Sequence, residues 1–237
     1  LAGGFLRELI FRYMRKHPGV VIDIRNGSRD DHLAAIQQRR LDIAFLTGAV
    51  QALNCEVAQL WRERVYVALG KEHPLSRRRK LDWPDLREEH FSVTRTAPGP
   101  EVHDYITRRT ANYSTYPEIE IKDVNRETLL NLVGLGQGIT LVSAAWSSVK
   151  FPNLVLRPLS HDEDVVPFSA IWLAHNDNPA LRRFISTAHV LAGRNRCGAS
   201  DWSRKLIEMP PIFNPITKTS EVAASLSAAA RRPDRSP

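Results

Sequence analysis

The chain predicts an α/β fold with parallel strands and crossover helices, and three observations carry that prediction. Short β-branched runs bounded by turn residues alternate with amphipathic helical stripes. Up to Leu46 the order is helix, strand, helix, strand, which favours a parallel sheet closed by crossover helices. The chain has 237 residues, 43% of them hydrophobic, enough apolar material for one large domain or two small ones.

Phe5, Leu6, Leu9, Ile10, Tyr13 and Met14 recur at three-to-four spacing and make the first helix. Pro18 ends it, with Lys16 and His17 in the last turn, where cations suit the helix dipole. Val20 to Ile24 lies between Pro-Gly and Asn-Gly and reads as a strand. Ser28 or Asp30 caps a second helix carrying Leu33, Ile36 and Leu41, and Ile43 to Leu46 is a buried strand. Val57–Leu60 and Val65–Leu69 read as two strands split by the polar run Trp61-Arg62-Glu63-Arg64.

Phe91 to Val93 is a short strand, followed by a helix using Val102, Tyr105 and Ile106. Glu118-Ile119-Glu120-Ile121-Lys122 alternates strictly, so one face meets solvent or the strand lies at a sheet edge. Asn125 caps a helix holding Leu129, Leu132 and Val133, which Gly136 stops. Ile139–Val142, Leu154–Leu156 and Ser169–Ala174 are strands, and Leu181, Phe184, Ile185, Ala188 and Leu191 make the last amphipathic helix. From Arg194 prolines interrupt the chain at 210, 211, 215, 233 and 237, so residues 194–237 are expected to be a disordered tail, with a short helix at Trp202–Ile207. Nothing repeats at a fixed period, which argues against a solenoid.

The net charge is +7, but of the 33 basic and 26 acidic residues eight and four fall from Arg194 onward, leaving the preceding part at +3. That surface is only mildly basic, so nucleic-acid binding by these residues themselves is not expected. Cys55 and Cys197 are too few for a disulfide framework and too far apart to chelate, which suits a reducing compartment. No run approaches the roughly 18 apolar residues of a membrane span. Residue one is Leu and a helix begins almost at once, so the chain reads as starting inside a domain.

Several runs mimic functional motifs. Gly134, Gly136 and Gly138 follow a helix and precede a strand, the reverse of a phosphate-cradling order, so they read as a helix stop and a tight turn. Adjacent residues in His161-Asp162-Glu163-Asp164 point alternately apart on extended chain, so a solvated segment is expected and no metal site. Arg77-Arg78-Arg79-Lys80 lacks interleaved aromatics and reads as a solvated loop. There is no Gly-x-Ser-x-Gly, no His-Glu-x-x-His, and no signature around Cys55 that would make it a nucleophile.

Three segments taken together resemble the effector-binding domain of LysR-type transcriptional regulators: Arg39 to Gly48, Lys71-Glu72-His73-Pro74-Leu75, and Gly134 to Ile139. The resemblance covers Leu1 to Gly193. It implies a type II periplasmic-binding-protein-like fold, two Rossmann-like lobes joined by two crossover strands. Lobe I would comprise residues 1–60 plus 162–193 and lobe II residues 61–161, with crossovers near Arg62–Val65 and Ser160–Asp164. Asp42 would be a structural or hinge-facing acid. The family pattern opens with a strand inside lobe I, of which only Leu1 to Gly4 remains here. Its neighbours would then expose unpaired backbone groups at about 1–3 kcal/mol each, and a chain extended upstream should be more stable.

The resemblance also implies the site and the partners. Effector contacts would come from loops at strand ends: Ser28 and Thr47 in lobe I, and Thr94, Arg95, Thr96, Asn125 and Thr128 in lobe II. Hydroxyls and amides at helix starts suit a carboxylate, and Arg95 would add a charge-assisted bond, so a small anionic metabolite is expected. The plainer reading of each Ser or Thr is a cap or turn, and of Arg95 a solvated cation. A bacterial, cytoplasmic homodimer or homotetramer is implied, touching DNA through an N-terminal winged helix-turn-helix upstream of Leu1, with RNA polymerase as a further partner and no membrane. The first helix, Val20–Ile24 and Glu118–Lys122 are the candidate assembly surfaces. Neither cofactor, metal nor catalytic residue is expected. Two rivals share the fold: a free-standing solute-binding protein of a transport system, and an enzyme such as a small-acid dehydratase. The second is disfavoured because no base is paired with an orienting carboxylate.

Overall fold

The first apolar stripe forms α1 (Gly4–Lys16), which buries Phe5, Leu6, Leu9, Ile10 and Tyr13 and carries Arg15 and Lys16 in its last turn. This computed structural model describes residues 3–48, 50–111, 113, 116–196 and 225–229. The chain continues through β1 (Val21–Arg25), α2 (Arg29–Gln37), β2 (Ile43–Thr47) and the long β3 (Cys55–Gly70). A 3-10 turn at Pro74–Arg77 and α3 (Trp83–Leu86) lead to β4 (His90–Thr94), α4 (Gly99–Thr110), β5 (Glu118–Lys122) and α5 (Arg126–Gly134). Then come β6 (Thr140–Ser143), a 3-10 turn at Ala144–Ser148, β7 (Leu154–Pro158), β8 (Val165–Leu173), α6 (Pro179–Arg196) and β9 (Ser225–Ala229).

Two lobes share two strands. In one lobe the sheet order is β1-β9-β2-β8-β3, and in the other β3 pairs with both β6 and β7. Parallel β4 and β5 join β6 through a bridge between Phe91 and Ile139. β1 and β2 are each antiparallel to β9, so they run parallel to one another. The apolar cores segregate accordingly. One packs α1 and α6 on β2, β3 and β8 around Phe45, Trp61, Phe168 and Phe184, and the other gathers Val67, Leu69, Trp83, Phe91, Ile106 and Leu141.

Two expectations need correction. β3 is one strand of 16 residues with an irregularity between Gln59 and Trp61, not two strands. The polar run does not break it, because Arg62, Glu63 and Arg64 keep partners in Pro167, Val166 and Val165 of β8. Disorder from Arg194 onward fails at α6, which runs to Arg196, and at β9, which fills the gap between β1 and β2. The backbone groups of both neighbours need partners, and an Ala/Ser-rich segment free of Pro can supply them. The helix expected at Trp202–Ile207 lies outside the described residues.

Candidate functional site

Parallel strands gather their carboxyl ends, and the loops beyond those ends are where open α/β sheets place ligands. In lobe I, Ser28 caps α2: its Oγ accepts from the Asp31 N–H at 3.2 Å, and the Asp31 carboxylate accepts from the Ser28 amide at 3.1 Å. The Ser28 hydroxyl also holds the Asp31 carboxyl below its ordinary value. Thr47 ends β2, and its carbonyl accepts from the Arg29 guanidinium, so Arg29 joins the loops of Ser28 and Thr47. The next amide, Gly48, donates to Pro167 O of β8 at 3.0 Å.

In lobe II, Thr94 ends β4 and is buried, its hydroxyl donating to Thr96 O at 2.7 Å. The Arg95 amide donates to Lys122 O at 2.9 Å, while its exposed side chain stands 3.8 Å from Asp123. Asn125 caps α5 by accepting from the Thr128 N–H at 2.9 Å. The seven candidates thus form two sets, one per lobe. Ser28 and Asn125 are spent on capping and Thr94 on its turn. The side chains of Arg95, Thr96 and Thr128 face solvent.

Sequence reasoning missed three buried polar groups. The first is Asp164, fully buried, whose Oδ1 accepts from Trp83 Nε1 at 3.1 Å, Tyr105 Oη at 3.0 Å and Arg109 Nε at 2.8 Å. Burial and the Asp164 charge lift the Tyr105 phenol well above its ordinary value. The solvated reading of His161 to Asp164 therefore fails at Asp164, while the three residues before it are exposed. The second is Arg126, the first residue of α5, whose guanidinium lies 5.3 Å from the Trp146 ring centre. Burial pushes it below the usual guanidinium range and the Glu101 charge pulls it back. The third is Glu63 on β3, accepting from Trp61 Nε1 and from the Ala145 amide. A signal for it existed: Trp and Glu two apart share a strand face, and a buried indole N–H needs an acceptor.

The remaining runs are structural. Asp42 accepts from Asn176 and Asn178 at the start of α6. Gly136 and Gly138 both have positive φ, as the helix stop and turn require. No group of three or more metal-ligating side chains occurs among the described residues. No helix among them is long and apolar enough to cross a membrane.

Residues 1–191 match the sequence profile of the family described as LysR substrate binding domain. The chain is 27% identical over 159 residues to the HTH-type transcriptional regulator XapR of Escherichia coli, covering 66% of this chain and 53% of XapR. It is 26% identical over 167 residues to the HTH-type transcriptional regulator BenM of Acinetobacter baylyi, covering 69% of this chain and 55% of BenM. The chain therefore spans little more than half the length of these relatives. Among solved structures, the effector binding domain of BenM with its effector benzoate superposes with a TM-score of 0.69 at 21% identity, covering 89% of this chain and 91% of that one. Full-length CbnR, a LysR family regulator solved with its target DNA, superposes at 0.70 with 17% identity, covering 79% and 66%.

Proposed function

Because the chain belongs to the LysR substrate binding domain family, we propose that it is the effector-sensing part of a DNA-binding transcriptional regulator. The observation that carries this reading is the match of residues 1–191 to that family. Two sets of strand-end loops, one in each lobe, would supply the physical means. The relatives are regulators of transcription, which favours this reading over a transport protein or an enzyme.

A small anionic metabolite binds between the lobes, lobe I being residues 1–60 plus 162–193 and lobe II residues 61–161. Ser28, Thr47, Thr94, Arg95, Thr96, Asn125 and Thr128 line the two sides. Ser28 and Asn125 act by fixing the helix starts beside the ligand, while Arg95, Thr96 and Thr128 make direct contacts. Anion preference is supported by Arg95 and by the buried charge of Arg126, next to the Asn125 cap. To convert a 1:99 mixture of lobe angles into 99:1, the effector must favour one state by about 5.5 kcal/mol.

The whole regulator would be cytoplasmic and a homodimer or homotetramer. It would contact DNA through a domain upstream of Leu1 and RNA polymerase through the assembled oligomer. The test of the site is a thermal-shift series with benzoate and aliphatic acids. An acid should raise the melting temperature, and Arg95→Ala should weaken its binding about tenfold or more, the loss of one charge-assisted bond. An acid panel without any shift would refute the anion site.

A further inference from the structure

Glu63 sits where β3 passes between the lobes, opposite Val166 of β8, and only 9% of it is exposed. A carboxylate so placed needs donors to replace its water. They come from both sides. Trp61 Nε1 donates at 2.9 Å from the lobe I core, where its ring stacks on Phe5 and Phe168. The Ala145 amide donates at 3.2 Å from the 3-10 turn that follows β6 in lobe II. The carbonyl of Ala145 is held as well, accepting from the Gly3 N–H at the head of α1 at 2.8 Å.

One residue of lobe II is thus gripped at its N–H by a carboxylate on the crossover strand and at its C=O by an amide of lobe I. The approach is close. A Cβ on Gly4 would stand 3.1 Å from Glu63 Oε1 and 3.3 Å from Ala145 Cβ, and Gly4 has φ +83. A Cβ on Gly3 would stand 2.6 Å from Ser148 Oγ. We propose that Glu63 and Gly3 form a latch on Ala145 that sets the angle between the lobes, and that this angle changes by releasing Ala145. Glu63 is therefore a positioning residue. The purpose of the latch rests on the sensor reading above, but its existence is tested without any effector.

Amide hydrogen exchange of the full chain provides the test. In Glu63→Leu, which removes both acceptor oxygens at similar volume, the Ala145 and Gly3 amides should exchange about tenfold faster or more. Val67 and Leu141, in the β3–β6 ladder, should keep their protection within about twofold, since opening is local. The radius of gyration from small-angle scattering should rise. A structural pin alone would change all four amides together and leave the radius unchanged, which overturns the proposal. Should the variant not fold, the unaltered chain decides the matter. A latch requires Ala145 and Gly3 to share one opening equilibrium, weaker than that of Val67 and Leu141. Unrelated protection at the two residues, or Ala145 as protected as the ladder, also overturns it.

Discussion

Asp164 carries its charge with no solvent exposure, and the Arg109 guanidinium is the cation that neutralises it. Breaking such a pair from one side costs about 3–5 kcal/mol, because the remaining charge stays buried. Arg109→Ala should lower stability by that amount in urea titrations, whereas Asp162→Ala, at an exposed side chain beside Arg64, should change it by less than about 0.5 kcal/mol. His90 offers a test in pH. Its ring bonds Glu120 and Glu118, which hold it above its ordinary 6.5 despite some desolvation. Its contribution is complete below pH 6.5 and disappears as pH rises through the raised value. Glu120 is held below its ordinary 4.5 by Lys122 and then His90, so its contribution appears above 4.5 and is lost as pH falls through the depressed value. Proton NMR should find His90 titrating above 6.5, and Glu120→Gln should bring it down. At this scale sequence legibility was uneven. Ser28 and Asn125 were readable as caps because their partners lie three residues away. Asp164 and Arg126 were not, because their partners lie far along the chain or in another element, and Glu63 was passed over although its partner Trp61 stands two residues away on the same strand.

At the scale of elements, turns and caps carry most of the local specification. Gly138 has φ +79, and a Cβ there would stand 2.8 Å from His90 O at the point where β4 meets β6. Gly138→Ala should destabilise by more than about 1 kcal/mol in urea titrations, while Gly19→Ala, with open space around it, should be nearly neutral. Asn125→Ala should cost about 1 kcal/mol, with faster amide exchange confined to the first turn of α5. Helices and short strands were legible because their apolar spacing is local. The continuity of β3 was not, since it depends on the partner strand β8 a hundred residues later. β9 was hidden for a related reason: composition spoke for disorder, and only the gap between β1 and β2 gives its backbone a place.

For the whole molecule, four of the ten large apolar side chains exposed among the described residues fall on the surfaces that the sequence nominated for assembly. Met14 of α1, Val21 and Ile24 of β1 and Ile121 of β5 are all exposed, and β1 and β5 each end a sheet. The chain should therefore sediment as a dimer at tens of micromolar, and Ile24→Lys combined with Ile121→Lys should return it to a monomer by removing apolar burial. A monomer in the unaltered chain would remove these surfaces from the assembly. The division into two lobes followed from the resemblance of three short segments, not from periodicity, which speaks only of elements.

β3 and β8 run through the waist of the molecule as an unbroken antiparallel ribbon, paired from Cys55 to Arg64 apart from the irregularity at Leu60. Such a ribbon does not swivel like a loose joint. It twists and springs back, so any swing of one half against the other is small and elastic, with its energy held in the torsion of two strands.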